Sequence, residues 1–169
     1  MVEKPDAVFI GGDLLDLGAD ADGFLQEHMF AHLRKMHGFR TRFFVIMGND
    51  DPRMHEGLLI GADSEGLLEY VSERAVRFDG LHVAGYPYVP PTPFQLKDWE
   101  RYDVSRFVDP GCVSPEEGRR SVAADMESVR YATIKEDLEE LAKKSPPGKT
   151  IYLFHTPPYK TKLDRVGLD

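Results

Sequence analysis

The stretch Arg42-Phe-Phe-Val-Ile-Met47-Gly48-Asn49-Asp50-Asp51-Pro52 decides the fold class. Arg42 to Met47 reads as a buried strand: Phe43 to Met47 form an apolar run, as a strand covered on both faces does. Gly48 to Pro52 then reads as a turn. The same arrangement occurs twice more. Ala7 to Gly12 reads as a buried strand and runs out at Gly12-Asp13, within Phe9-Ile-Gly-Gly-Asp-Leu-Leu-Asp16; Thr150 to Phe154 reads as another and runs out at His155, within Phe154-His-Thr-Pro-Pro-Tyr159. Between the first two strands, Leu25, Met29, Leu33 and Met36 recur at helical spacing, so Phe24 to Gly38 is expected to be a helix. Strand, helix and strand in this order predict a right-handed βαβ unit with parallel strands. Open α/β sheets place ligands beyond the carboxyl ends of their strands. Three strand ends bearing Asp, Asn and His therefore predict a shared cation.

Working outward, Arg53 to Ile60 is expected to form a short helix. Ala75 to Phe78 and Leu81 to Tyr86 flank Asp79-Gly80, a strong signal for a two-residue hairpin. Antiparallel strands thus join the sheet, which argues against a purely parallel Rossmann architecture. Residues 87–121 lack a period, carry six prolines counting Pro87, and concentrate aromatics around Trp99. Two readings stand side by side: a loop packed down by its own aromatics, and a lid over a substrate. Thr133-Ile-Lys-Glu136 is a capping-box pattern that opens an amphipathic helix, with Ile134, Leu138 and Leu141 on its apolar face, and Pro146-Pro-Gly148 ends it. There is no internal repeat or interdomain linker, so residues 1–169 are expected to form one domain, with 87–121 a long loop inside it.

Acidic residues outnumber basic ones 29 to 21, for a formal net charge of -8. That balance argues against an extended nucleic-acid surface or an anionic membrane as partner. A phosphorylated substrate stays open, because a local metal reverses the field within a site. The single cysteine, Cys112, excludes an intrachain disulfide and fits a cytoplasmic setting. No run approaches the roughly 18 apolar residues of a membrane span.

The donor types suit a water-activating cation. Asp13 offers a carboxylate that can bridge two ions, and Asn49 a neutral amide oxygen that limits the negative charge facing a phosphate. His155 offers an imidazole nitrogen suited to Mn, Fe, Ni or Zn. Asp16, one turn beyond Asp13, is placed to orient a ligand from behind. His28 and His32 have the i, i+4 spacing of a zinc helix but lack the accompanying Glu, and are expected to be solvated or half-buried. His55, just past the Asn49 turn, is a spare proton-donor candidate. His82 is expected to be structural. Lys160, Lys162 and Arg165 follow His155 either as phosphate contacts or as a solvated end.

Gly12-Asp13-x-x-Asp16, Gly48-Asn49 and a strand ending in His155, in this order, resemble the calcineurin-like metallophosphoesterases over nearly the whole chain. The resemblance implies an α/β (α+β) fold: a mixed β-sheet sandwich flanked by helices, with the site at the strand ends. It implies that Asp13 bridges two metals, that Asn49 and His155 hold the second, and that a metal-activated hydroxide hydrolyses a phosphoester. The family pattern also opens with Asp-x-His and closes with Gly-His-x-His, and neither is present here. The expectation is an internal segment of a longer protein: two divalent ions in the intact protein, at most one weakly held ion in this segment, poor activity alone, and self-association through exposed sheet edges.

Asp50 stands where many members carry a phosphate-facing histidine. It is kept with His55 as a catalytic candidate, and the substitution favours phosphodiesters over monoesters. The substrate class is a small or nucleotide-like phosphoester. A rival reading is a non-catalytic binding or scaffold protein on the same fold. A nucleotide-binding βαβ module fares worse, because Gly-Gly-Asp-Leu-Leu-Asp has no Lys to meet a phosphate.

Overall fold

The computed structural model of the chain describes residues 5–15, 20–36 and 40–164. Among the described residues, six strands form two three-stranded sheets. In the first, β1 (Ala7–Gly11), β2 (Arg42–Ile46) and β3 (Glu69–Tyr70) lie in the order β1-β2-β3, all parallel. In the second, β4 (Ala75–Phe78), β5 (Leu81–Tyr86) and β6 (Thr150–Phe154) lie in the order β4-β5-β6. β4 and β5 are antiparallel, and β5 and β6 are parallel. The expected mixed sandwich is therefore present. The two-residue hairpin is too: Asp79 and Gly80 both take positive φ, 47° and 81°, as a type I′ turn requires.

The period-2 alternation of β2 separates two cores. Phe44 and Ile46 point between the sheets, where they meet Val71 and Val83 with Ile151 and Leu153 of β6 packed alongside. Val45 and Met47 belong instead to a larger cluster with Leu25, Phe30, Leu33 and Leu59 from helices. That cluster extends through Tyr86, Tyr88 and Trp99 to Ile134 and Leu141. The two sheets touch through β2 against β5 and β1 against β6, which sets the ends of β1, β2 and β6 close together.

The first helix departs from the expected regular period. It runs as α-helix over Ala21–Gly23, as π-helix over Phe24–Phe30 and as α-helix again over Ala31–Lys35, with Asp20 capping its start. A π stretch bonds i to i+5, so the inward position after Leu25 falls on Phe30 rather than on Met29. Leu25, Phe30 and Leu33 are buried, while Met29 is only partly so. Gly38, the expected end of this helix, lies outside the described residues.

The Arg53 helix is present as a 3-10 turn, Arg53–His55, leading into the α-helix Glu56–Ser64. The helix Ile134–Lys144 carries the full capping box of Thr133 and Glu136. A short helix, Met126–Tyr131, and the two-residue β3 carry no clear periodic signal and were not expected.

Residues 87–121 contain no helix or extended strand; isolated bridges such as Val89 with Glu100 and Leu96 with Arg119 fold the segment on itself. Its aromatics divide. Tyr88, Trp99 and Tyr102 are buried, whereas Phe94 and Phe107 are exposed. A fully buried ion pair, Lys97 with Glu100, pins the segment's middle, and Thr92 completes the bonding of both groups. Such a pair adds little net stability but penalises any conformation that separates it.

Phe44 tests the inter-sheet core, since its ring is fully buried and stacks on Phe9. Phe44→Ala should destabilise the protein by about 3–5 kcal/mol, measured as a lower midpoint in urea denaturation at unchanged slope.

Candidate metal centre

The centre is assembled from the turns that follow β1, β2 and β6. After β1 the chain reverses sharply: Gly12 has a φ of 99° and Asp13 a φ of 53°. The left-handed region is rare for a residue with a side chain, although Asp tolerates it better than most. That turn presses against the one after β2. A Cβ on Gly12 would sit 2.8 Å from both the Gly48 Cα and His155 Nδ1, and a Cβ on Gly48 would sit 2.5 Å from His155 Cε1 and collide with Asp13 Oδ1. Glycine at both positions is what allows the three loops to meet.

The side chains Asp13, Asn49 and His155 converge there. His155 Nδ1 lies 2.6 Å from the Gly11 carbonyl oxygen. A carbonyl only accepts, so Nδ1 carries the proton and donates it. In the neutral ring Nε2 is then a bare lone pair. It faces Asn49 Oδ1 at 3.0 Å and Asp13 Oδ2 at 3.3 Å. Three acceptor atoms thus share one space with no hydrogen between them, an arrangement that a divalent cation or an added proton relieves. The chemistry of the set, one carboxylate oxygen, one amide oxygen and one imidazole nitrogen, fits the intermediate first-row divalent ions. A ring whose far nitrogen is anchored on a backbone carbonyl is also how metal-binding histidines are usually oriented. Among the described residues no three His, Cys, Asp or Glu side chains cluster, so the third donor here is the Asn49 amide.

Neighbouring groups fix these orientations. Asp50 N–H donates to Asp13 Oδ1 at 3.0 Å, and Asp50 Oδ1 accepts from Asn49 Nδ2 at 2.9 Å. The Asp50 carboxylate therefore turns the Asn49 oxygen inward. His55 is not part of this group: its Nδ1 lies 2.6 Å from Asp22 Oδ1, on the first helix. Asp16 and Arg165 lie outside the described residues, and Lys160 and Lys162 are exposed. His28 and His32 are also exposed, on the first helix, as expected for solvated side chains.

The residue that sequence reasoning missed is Asp51. Its side chain is fully buried, and its two oxygens accept from Leu15 N–H at 2.8 Å and Gly48 N–H at 2.7 Å. It joins the turn after β1 to the turn after β2. Burial pushes its carboxyl above the ordinary value, against the pull of these backbone donors. Trp99 Nε1 donates to the Asp51 carbonyl at 3.0 Å, so the 87–121 segment is tied to the same point. The only signal in the sequence is a third polar residue before Pro52, which an ordinary turn would also show.

The chain matches the model of the calcineurin-like phosphoesterase family over residues 2–168, and it belongs to that family. No curated protein and no solved structure matches it. Membership brings phosphoester hydrolysis and divalent-metal binding as general properties.

In Asp51→Asn one side-chain oxygen becomes a donor and faces a backbone N–H, leaving that N–H without an acceptor. The expected loss is about 1–3 kcal/mol of stability, read by urea denaturation, together with weaker Mn²⁺ binding read by calorimetry.

Proposed function

We propose that this chain serves the hydrolysis of a small or nucleotide-like phosphodiester, weakly on its own, with a divalent cation held by Asp13, Asn49 and His155. The observation that carries the reading is the approach of Asn49 Oδ1, at 3.0 Å, and Asp13 Oδ2, at 3.3 Å, to the same His155 Nε2, whose ring is anchored through Nδ1 on the Gly11 carbonyl. A cation bound there would supply Lewis-acid polarisation of a phosphoryl oxygen. One cation finds three protein donors in this set. A second finds only Asp13, so any further ligands must come from outside it.

The preference for diesters rests on Asp50. An ionised carboxylate has no proton to donate, and beside the site it repels a dianionic monoester more than a monoanionic diester. Its engagement with the Asn49 amide favours an orienting role over a proton-transfer one. His55, held on Asp22, supports no direct step at the three-donor group. The Asp13 carboxylate is 42% exposed while the His155 side chain is 14% exposed, so the group opens to solvent on the carboxylate side, where substrate can enter. No helix among the described residues is long and apolar enough to cross a membrane. The lone cysteine keeps the cytoplasm as the favoured setting.

The test is Mn²⁺ titration of the full chain by calorimetry, paired with hydrolysis of bis-p-nitrophenyl phosphate. Asp13→Ala and His155→Ala should abolish saturable Mn²⁺ binding and activity. Asp50→Ala, which frees the Asn49 amide, should weaken Mn²⁺ by about 10–100-fold. Equal Mn²⁺ affinity in the wild type and both ligand variants would refute the site. A rate with p-nitrophenyl phosphate above that with the diester would overturn the substrate preference.

A further inference from the structure

A second cavity, of about 380 Å³, lies where Arg53, Arg101 and Arg120 meet beside the 87–121 segment. Its three guanidinium groups are not equivalent. Arg53 is paired with Glu56 at 3.0 Å, donates to Tyr88 Oη and lies over the Trp99 ring. Arg101 is paired with Asp137 and lies over the Tyr88 ring. Arg120 makes one bond, from its guanidinium to the Pro115 carbonyl at 3.1 Å, and among the described residues no carboxylate forms an ion pair with it.

Three acids also line the cavity, and each is engaged elsewhere. Asp98 accepts from the Arg53 and Ser121 backbone N–H groups and from the Ser121 hydroxyl. Glu100 is neutralised by Lys97 and bonded to Thr92. Asp125 caps the helix Met126–Tyr131. Burial pushes the Arg120 guanidinium below its ordinary value, with the nearby Asp98 opposing and Arg53 adding to the effect. With one of its five donor hydrogens bonded within the chain and the Arg53 cation nearby, the Arg120 guanidinium keeps donors open to an incoming oxyanion.

We infer that this cavity binds a phosphorylated small molecule, its phosphate group held by the Arg120 fork with Arg53 beside it. The planar guanidinium matches two oxygens of a phosphate at once. The volume falls within the range of small-molecule sites and exceeds what a bare ion needs, so the ligand carries a body such as a sugar next to its phosphate. The phosphate is either the distal group of a substrate that also reaches Asp13, or that of a free effector. The site does not depend on the metal centre, because none of Asp13, Asn49 and His155 lines it.

The experiment is calorimetric titration of the full chain in EDTA with ribose 5-phosphate, with ribose as the uncharged control. Saturable binding of ribose 5-phosphate and none of ribose is expected. Arg120→Gln should weaken that binding by about tenfold or more, and Arg120→Lys should restore only part of it. Val122→Glu adds a negative charge to the cavity wall without touching the Arg120 bond, and should weaken binding comparably. Absence of saturable binding in the wild type, or wild-type affinity retained in both Arg120→Gln and Val122→Glu, overturns the inference. With EDTA present, neither result bears on the metal centre. The ratio of KM for a dinucleoside diphosphate to KM for bis-p-nitrophenyl phosphate then separates the two sources. A ratio that rises in Val122→Glu assigns the phosphate to the substrate, and a constant ratio assigns it to a free effector.

Discussion

The Asp51 carboxylate, buried between two turns, is the constraint on which the rest of the site depends. A buried acceptor must be matched by donors or it destabilises the fold. Here the donors are backbone N–H groups from two different loops, Leu15 after β1 and Gly48 after β2. Parallel pairing sets the strands beside one another, with Gly11 opposite Ile46, but says nothing about how their ends turn. The carboxylate supplies that information. Bonded to both turns at once, it fixes their relative placement, in which Asp13 lies against Gly48. Trp99 extends the constraint by capping the Asp51 carbonyl, so the non-periodic 87–121 segment packs onto the back of the site.

A consequence is that the site is built under tension that its own residues do not relieve. Asp13 holds a left-handed backbone, and Gly12 and Gly48 are in contact closer than any side chain allows. Strain of this kind persists only where the surroundings over-determine it, and it concentrates at functional sites. The anchoring of His155 Nδ1 on Gly11 sharpens the effect by leaving the ring's other nitrogen as an acceptor among acceptors. What offsets the repulsion is a positive charge at the point where the three lone pairs meet. The backbone geometry and the gathering of acceptors are thus two aspects of one arrangement.

Strand ends were readable in the sequence because their signals are local. A continuous apolar run and then a polar donor, with a Gly between them after β1 and β2, marked β1, β2 and β6 and the three residues that converge beyond them. The Asp79-Gly80 hairpin and the Thr133 capping box were legible for the same reason. Features that depend on partners distant in sequence were not. Asp51 reads as a turn residue until Leu15, 36 positions away, is seen to donate to it. The π stretch at Phe24–Phe30 leaves no mark in a pattern read at the α-helical period, which is why Phe30 was overlooked as a core residue. β3, two residues long, is a strand only because Val45 and Phe44 of β2 are there to pair with it. The Arg120 cavity is assembled from three segments, and no one of them is unusual alone.

Electrostatics tie the parts together. A chain of net charge -8 repels a phosphate at long range, yet that field is screened within about 8–10 Å at physiological salt. Inside that distance the local groups decide. At the strand ends these are Asp13 and Asp50, which disfavour an anion unless a cation intervenes. Around Arg120 the acids are already bonded to other partners, and the guanidinium acts without a metal. The same acidic surface thus holds two places of opposite local character, one ringed by acceptors and one by guanidinium donors. Their difference in origin is lone pairs awaiting a charge against a charge awaiting lone pairs: acceptors facing acceptors at the strand ends, and open guanidinium donors at Arg120.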